Sequence, residues 1–381
     1  MYTIKRMGIA GFRRLSNIDL PIRPFMVLIG ANGVGKTSFL DAHALLAASA
    51  SGNLNAALSR YSGITSLLTR GKCETLSFAV DMDVPGHNPL TYQINVESKG
   101  AGYAISREVL SQDRGYDTPF KHIDSSFDDV RYYEVDEERL VRPQWEHNPL
   151  ESSLAQVPKM FRQPEELRRI LATASLYHVL DVGPRAPVKT PQPMKPALLP
   201  GSDGEDLVSY LYYLRESDPH RFDAVLDSLH AAFPDFDGLH FPPVAAGMLT
   251  MTWKDKRFSK PMAIHELSEG TLRFLWLVSL LKSPNLSTVT LIDEPEVSLH
   301  PELLNLLADL MREASLRTQL IVATHSDRFI RFLNPEEVVV MDIDEQGLTV
   351  ASWADTLDLG HWLAEYSLDD VWRMGRMGGR P

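Results

Sequence analysis

Apolar residues in this chain fall into two kinds of strand-like run. Phe25–Ile29, Val289–Ile292 and Leu320–Ala323 are short and almost unbroken, as strands buried on both faces of a parallel sheet must be. Thr75–Met82, Leu90–Val96 and Tyr103–Leu110 instead alternate, with Pro85-Gly86 and Lys99-Gly100 between them. Alternation punctuated by such turn residues predicts an antiparallel meander. Residues 2–9 alternate loosely and predict an edge strand, with Ile18–Ile22 as its return; Gly247–Trp253 predicts one more strand. Helical spacing marks Ser38–Ala50, Leu54–Leu68, Pro164–Leu180, Leu207–Leu214, Arg221–Ala232 and the stretch after Ser268 up to Leu281. Prolines crowd positions 184–200, which predicts an extended linker or surface crossing. Residues 111–160 are polar and predict irregular structure, with an acidic patch at Glu134, Asp136, Glu137 and Glu138 that a metal-dependent nuclease could use but that reads better as a solvated face.

Four of these boundaries carry chemistry. Gly30-Ala31-Asn32-Gly33-Val34-Gly35-Lys36-Thr37 fits G-x-x-x-x-G-K-[ST] at every fixed position, between a predicted strand and a predicted helix. Glycines there let backbone N–H groups approach a phosphate, and the helix N-terminus adds partial positive charge. The amides of Asn32, Gly33, Val34 and Gly35, with Lys36, Thr37 and Ser38, are therefore candidate nucleotide contacts, and the Thr37 hydroxyl a candidate Mg²⁺ ligand. Val289-Thr290-Leu291-Ile292-Asp293-Glu294 is an apolar strand ending in two carboxylates. That pattern fits a metal ligand, Asp293, followed by a water-activating acid, Glu294. Leu320–Ala323 leads to Thr324-His325-Ser326, and His325 reads as a γ-phosphate sensor once the other motifs are counted. Leu267-Ser268-Glu269-Gly270-Thr271 opens a long apolar helix, and alone it is an ordinary helix start with Ser268 as N-cap. Arg13 and Arg14, at a turn, are candidates to approach a nucleotide or to remain solvated. Asp342–Gly347 begins like a calcium loop, but position twelve would be Trp353, so a hairpin turn is expected.

Charge and composition narrow the function. The 381 residues carry 38 Lys and Arg against 50 Asp and Glu, a net charge of −12. Such a surface does not coat nucleic acid unaided. Cys73 is the single cysteine, which excludes an internal disulfide and a cysteine metal cluster. Lys5, Arg6, Arg13 and Arg14 interrupt any apolar leader near the start, and no apolar run is long enough to span a bilayer. The expectation is a cytoplasmic protein without a membrane segment.

In this order, the phosphate loop, Ser-x-Gly signature, Asp-Glu strand end and switch histidine resemble an ABC-type ATPase. The stretch from Lys36 to Leu267 is far longer than transporter subunits carry. The signature reads Leu-Ser-Glu-Gly-Thr, and His300 stands where transporters place Asp. With Gly11-Phe12-Arg13, Glu294-Pro295-Glu296, Leu299-His300-Pro301 and Thr324-His325-Ser326, the chain resembles the RecF- and OLD-related ATPases, relatives of the SMC proteins. It lacks a heptad run, and too few residues follow His325 for a Toprim nuclease domain. The resemblance implies an α/β fold: an ABC-type P-loop head with a mixed sheet, an antiparallel β subdomain and an inserted helical subdomain. Its expected parts are 1–110 (phosphate loop and β subdomain), 111–246 (insertion, with the Pro-rich linker 184–200) and 247–381 (signature, acid strand end and switch His). It also implies ATP and Mg²⁺, and a homodimer formed on ATP in which Ser268 and Gly270 contact the nucleotide of the other copy. Work on DNA, in repair or antiviral defence, and a partner nuclease or effector belong to the same implication. Two alternatives stay open: an ATP-binding regulatory or sensor subunit with little turnover, and a transporter ATPase subunit.

Overall fold

A computed structural model describes residues 2–378 apart from Ala101, Asp128, Val135 and Asp136. In chain order, strands β1 (Thr3–Phe12), β2 (Leu15–Pro21) and β3 (Phe25–Ile29) lead into helices α1 (Lys36–Ala50) and α2 (Leu54–Arg60). Then come β4 (Thr75–Asp83), β5 (Leu90–Lys99), β6 (Gly102–Gln112), β7 (Phe120–Ser125), β8 (Tyr132–Glu134), β9 (Arg139–Val141), α3 (Arg162–Ala172), β10 (Ser175–Tyr177) and β11 (Gln192–Pro193). Helices α4 (Leu207–Ser217) and α5 (Pro219–Ala232) precede β12 (Phe236–His240), β13 (Met248–Leu249), β14 (Thr252–Asp255) and β15 (Met262–Ala263). The last part holds α6 (Glu269–Leu281), β16 (Val289–Asp293), α7 (Glu302–Ser315), β17 (Gln319–Ala323), α8 (Asp327–Ile330), β18 (Val338–Ile343), β19 (Thr349–Trp353), α9 (Gly360–Leu363) and α10 (Leu368–Arg373).

Two sheets organise these elements. An antiparallel sheet runs β2-β1-β4-β5-β6-β7-β8-β9. A mixed sheet runs β10-β16-β17-β3-β18-β19, parallel except for β19. Strand β3 explains the layering. Its odd residues Phe25, Val27 and Ile29 enter one core with α4–α7, while Met26 and Leu28 enter another with α1, α3 and the antiparallel sheet. Both faces are covered, so the run has no polar position. Helix α1 lies between the two sheets and is buried around most of its circumference, as an all-round apolar helix must be.

Several sequence expectations are corrected. β1 is interior, flanked by β2 and β4, and β2 is the edge; the loose alternation reflects one solvent-facing side. Phe120–Ser125, Tyr132–Glu134 and Arg139–Val141 are not irregular but add three strands to the antiparallel sheet. Few of their positions are buried, and the Ile123–Tyr132 pair supplies a fully buried contact. The helix expected over Pro164–Leu180 ends at Ala172, after which Ser175–Tyr177 joins the mixed sheet beside β16. The helix expected over Leu54–Leu68 ends at Arg60, and Ser62 and Gly63, at φ 61° and 93°, turn the chain out of it. Gly247–Trp253 is split between β13 and β14. The Pro-rich crossing is pinned by buried Gln192, whose amide donates to the Gly204 carbonyl at 2.6 Å and accepts from the Val208 N–H at 2.7 Å. Asp344 accepts the Gln346 and Leu348 N–H groups inside the β18–β19 turn, which is a hairpin as expected.

Candidate nucleotide site

The loop Gly30–Thr37 joins β3 to α1. A Cβ on Gly30 would lie 2.3 Å from the Met341 carbonyl oxygen of β18, and the residue sits at φ 148°. Gly35, at φ 115°, forms the N-terminal cap of α1 and has Thr349 Oγ1 only 2.9 Å from its would-be Cβ. The Thr349 hydroxyl donates to the Val34 carbonyl at 2.6 Å, so the β18–β19 hairpin grips the loop from behind. Asn32, Gly33 and Thr37 are exposed, Val34 is buried, and Ser38 is half-buried. Lys36 is buried and donates to the Gly30 and Ala31 carbonyls at 2.7 and 2.9 Å. Burial pushes its pKa down, opposed by the charges of Glu294, Asp293 and Glu296. Those four side chains are therefore electrostatic neighbours although they come from opposite ends of the chain.

Beside β3 in the mixed sheet lies β17, and beyond it β16. Asp293 ends β16. Glu294 follows at φ 50° with its N–H bonded to the Ala323 carbonyl at 2.8 Å. That left-handed residue turns the chain so that Glu294 Oε1 lies 3.0 Å from His325 Nδ1. Glu296 accepts from the Thr324 hydroxyl, its other oxygen is buried without a partner, and burial raises its pKa. His178, just past β10, sits 3.8 Å from the Asp293 carboxylate, which draws its pKa up. Neither His178 nor the buried state of Glu296 was apparent in the sequence. β10 is three residues long and carries no periodic signal.

The signature lies at the start of α6. Ser268 is its N-cap, with Oγ accepting the Thr271 N–H at 3.1 Å and 2.7 Å from the Thr271 hydroxyl. Gly270 has a steric reason of its own: a Cβ would lie 2.5 Å from the Ser298 carbonyl oxygen. Arg273, one turn on, bonds the Ser298 hydroxyl and the Leu180 carbonyl. Further along, Trp276 and Leu277 line a small cleft with His178, Asp293 and Glu294. Helix α6 thus packs on the acid strand end, while the hydrogen bonds of the Ser268 hydroxyl stay within its own helix turn.

The basic residues near the start are mostly neutralised. Lys5 pairs with Asp83 at 2.9 Å, and Arg6 pairs with Asp19 and Asp81. Arg13 holds Asp41 at 2.6 Å and Ser38 at 3.3 Å on α1, against the rings of Phe12 and Tyr61. Arg14 donates to the Gly347 carbonyl. In the acidic patch, Glu137 pairs with Arg139, and Asp136 lies outside the described residues. Among the described residues no group of three or more His, Cys, Asp or Glu could hold a metal ion by itself.

A phosphate loop, two acids and a histidine at the C-terminal ends of parallel strands, with an antiparallel sheet on the other side of the loop helix, define the head-domain fold of the SMC and ABC ATPases. Solved structures share it. The SmcHead bound to the C-winged helix domain of ScpA is 16% identical, with TM-score 0.59 over 93% of this chain and 99% of that one. The Smc head domain with an extended coiled coil, bound to the C-terminal domain of ScpA derived from Pyrococcus furiosus, gives 14% and 0.53 over 96% and 99%. The SMC head domain from Thermotoga maritima gives 12% and 0.51 over 92% and 98%. The family model described as "AAA domain, putative AbiEii toxin, Type IV TA system" matches residues 25–331, and the chain belongs to that family. No curated protein matches the sequence. No helix among the described residues is long and apolar enough to cross a membrane.

Proposed function

We propose that this protein is an ATP hydrolase that associates in pairs when ATP binds. The observation that carries the reading is the convergence of Lys36, Asp293, Glu294 and His325 at the ends of β3, β16 and β17. In this reading the amides of Asn32 to Gly35, with Lys36 and Ser38, hold the triphosphate. Lys36 leaves the Gly30 and Ala31 carbonyls for the β- and γ-phosphates. Glu294 orients and deprotonates the attacking water, and His325, against Glu294, meets the γ-phosphate. Catalysis of this kind is positioning plus charge stabilisation, with no covalent nucleophile.

The donor set suits Mg²⁺. Thr37 offers a hydroxyl and Asp293 a carboxylate, both hard oxygens. The lack of a larger cluster among the described residues matches an ion shared between a few protein oxygens and substrate phosphates. When bound, Mg²⁺ supplies charge neutralisation of the phosphates.

Ser268 and Gly270 act on the partner copy's nucleotide in this proposal. The exposed position of Ser268 at an N-terminus supports that role. The Leu-Ser-Glu-Gly-Thr and Glu-Pro-Glu motifs support a RecF- or OLD-like relative serving DNA repair or antiviral defence. The Smc heads bound to ScpA domains support a protein partner, such as a nuclease or effector. The test is steady-state Mg-ATP turnover by Lys36→Ala against wild type. Loss of a charge-assisted contact weakens ATP binding roughly tenfold to over a hundredfold. Unchanged binding and turnover would reject the phosphate-loop role.

A further inference from the structure

A cavity of about 650 Å³ opens at the N-terminus of α3, beside the turns β4–β5 and β6–β7 of the antiparallel sheet. Its lining shares no residue with the phosphate loop or the acid strand end. The volume falls in the range of small-molecule sites. Three features of the wall specify chemistry. Aromatic rings come first: Phe120 stands 4.4 Å from Tyr133 and 4.8 Å from His122 between ring centroids, and Tyr2 and Phe161 complete the aromatic lining.

Cations come second. The Arg114 guanidinium lies 3.6 Å over the Phe120 ring, with Gln112 Oε1 at 3.3 Å, and pairs with no carboxylate among the described residues. Arg162 is exposed and forms no ion pair among the described residues. Glu166 is the one acid in the lining, and Arg169 holds it at 2.8 Å. Burial, and after it the Arg114 charge, pushes the His122 pKa down to about 4. Third, α3 has Phe161 as its N-cap and no side-chain cap, so the Arg162 and Gln163 amides are free to meet an anion; Pro164 has no N–H, and Arg168 pairs with the first-turn acid Glu165. His122 and Gln163, both in the wall, face each other closely enough for their side chains to share a hydrogen bond.

We propose that this cavity binds a nucleotide, its base stacked among Phe120, Tyr133 and Phe161 and its phosphate held by Arg114, Arg162 and the N-terminus of α3. A free mononucleotide and the 5′-phosphorylated end of a single strand share this chemistry.

The test is calorimetric titration of the full chain with the ribonucleoside 5′-monophosphates, with a 5′-phosphorylated oligothymidylate, and with inorganic phosphate. At least one nucleotide probe should bind one per chain. Its affinity should be the same within about twofold in Lys36→Ala, because the phosphate loop is a different site. Arg162→Glu should weaken it by about tenfold or more, as loss of a charge-assisted contact does. Phe120→Ala should weaken it by about fivefold to a hundredfold through lost stacking. Arg162 is exposed and unpaired, so its variant keeps the fold even where Phe120→Ala does not. Tighter binding of the strand identifies a strand end, and tighter binding of a monophosphate identifies a free nucleotide; either supports the site. The proposal is overturned if no nucleotide probe binds, if inorganic phosphate binds as well as the best nucleotide, or if binding is lost in Lys36→Ala but kept in Arg162→Glu.

Discussion

His43 shows how a single side chain in the loop helix ties stability to pH. It is fully buried in α1, Nδ1 lies 3.0 Å from the Phe39 carbonyl, and Nε2 has no partner. Burial pushes its pKa down to about 4, whereas an unfolded histidine titrates near 6.5. Below pH 6.5 the unfolded chain takes up a proton that the folded chain refuses. Stability from this residue is therefore complete above pH 6.5 and falls as the pH drops towards 4. At pH 5 the loss is about 2 kcal/mol. Urea unfolding at pH 7 and pH 5 should show that much less acid sensitivity in His43→Leu than in wild type; equal sensitivity would place the titration elsewhere. Residues of this kind were only half legible. Lys36, Asp293 and Glu294 stand in motifs whose spacing announces them. His43, His178 and Arg13 take their character from neighbours more than 20 positions away or from burial, which no local pattern records. Ser268 was legible as an N-cap, and it is one.

At the scale of elements, legibility followed how many faces are buried. Strands β3, β16 and β17 are covered on both sides, so each is an almost unbroken apolar run, Thr290 in β16 being a polar exception, with a motif at its end. Strands β7–β9 are short, and β10 has three residues; β7, β8 and β10 hold one or two buried positions each and β9 holds none. What the sequence did not disclose at all is the grip of the β18–β19 hairpin on the phosphate loop. Thr349 is buried and its hydroxyl satisfies the Val34 carbonyl. Thr349→Val keeps the shape and orphans that carbonyl, at a cost of about 1–3 kcal/mol. Urea unfolding should show this loss, and ATP titration should show weaker binding through the loosened loop. An ATP affinity equal to wild type would mean that the hairpin does not position the loop.

For the whole molecule, two sheets sandwich the loop helix, and the candidate nucleotide site lies at the strand ends of the sheet whose strands come from both halves of the chain. Strand β3 belongs to the first thirty residues, β16 and β17 to the last hundred, and only folding brings Lys36 within the field of Asp293 and Glu294. The alternation of strands and helices made this α/β architecture legible, whereas the extent of the antiparallel sheet was not. The ion pairs of Lys5, Arg6 and Arg13 leave the net charge of −12 without a basic counterweight at that end of the chain. Under the proposed function, a duplex contact at that end of the chain would depend on two copies coming together, unlike the nucleotide or strand end proposed for the cavity at α3. Glu294→Gln keeps the side chain's shape and removes its basicity, so the protein should still bind ATP and should accumulate as a dimer in light scattering. The most direct measurement is its rate of Mg-ATP turnover at saturating nucleotide. It should fall about 10²- to 10⁴-fold, the contribution of a positioned general base; turnover at the wild-type rate with ATP bound would show that Glu294 is not that base.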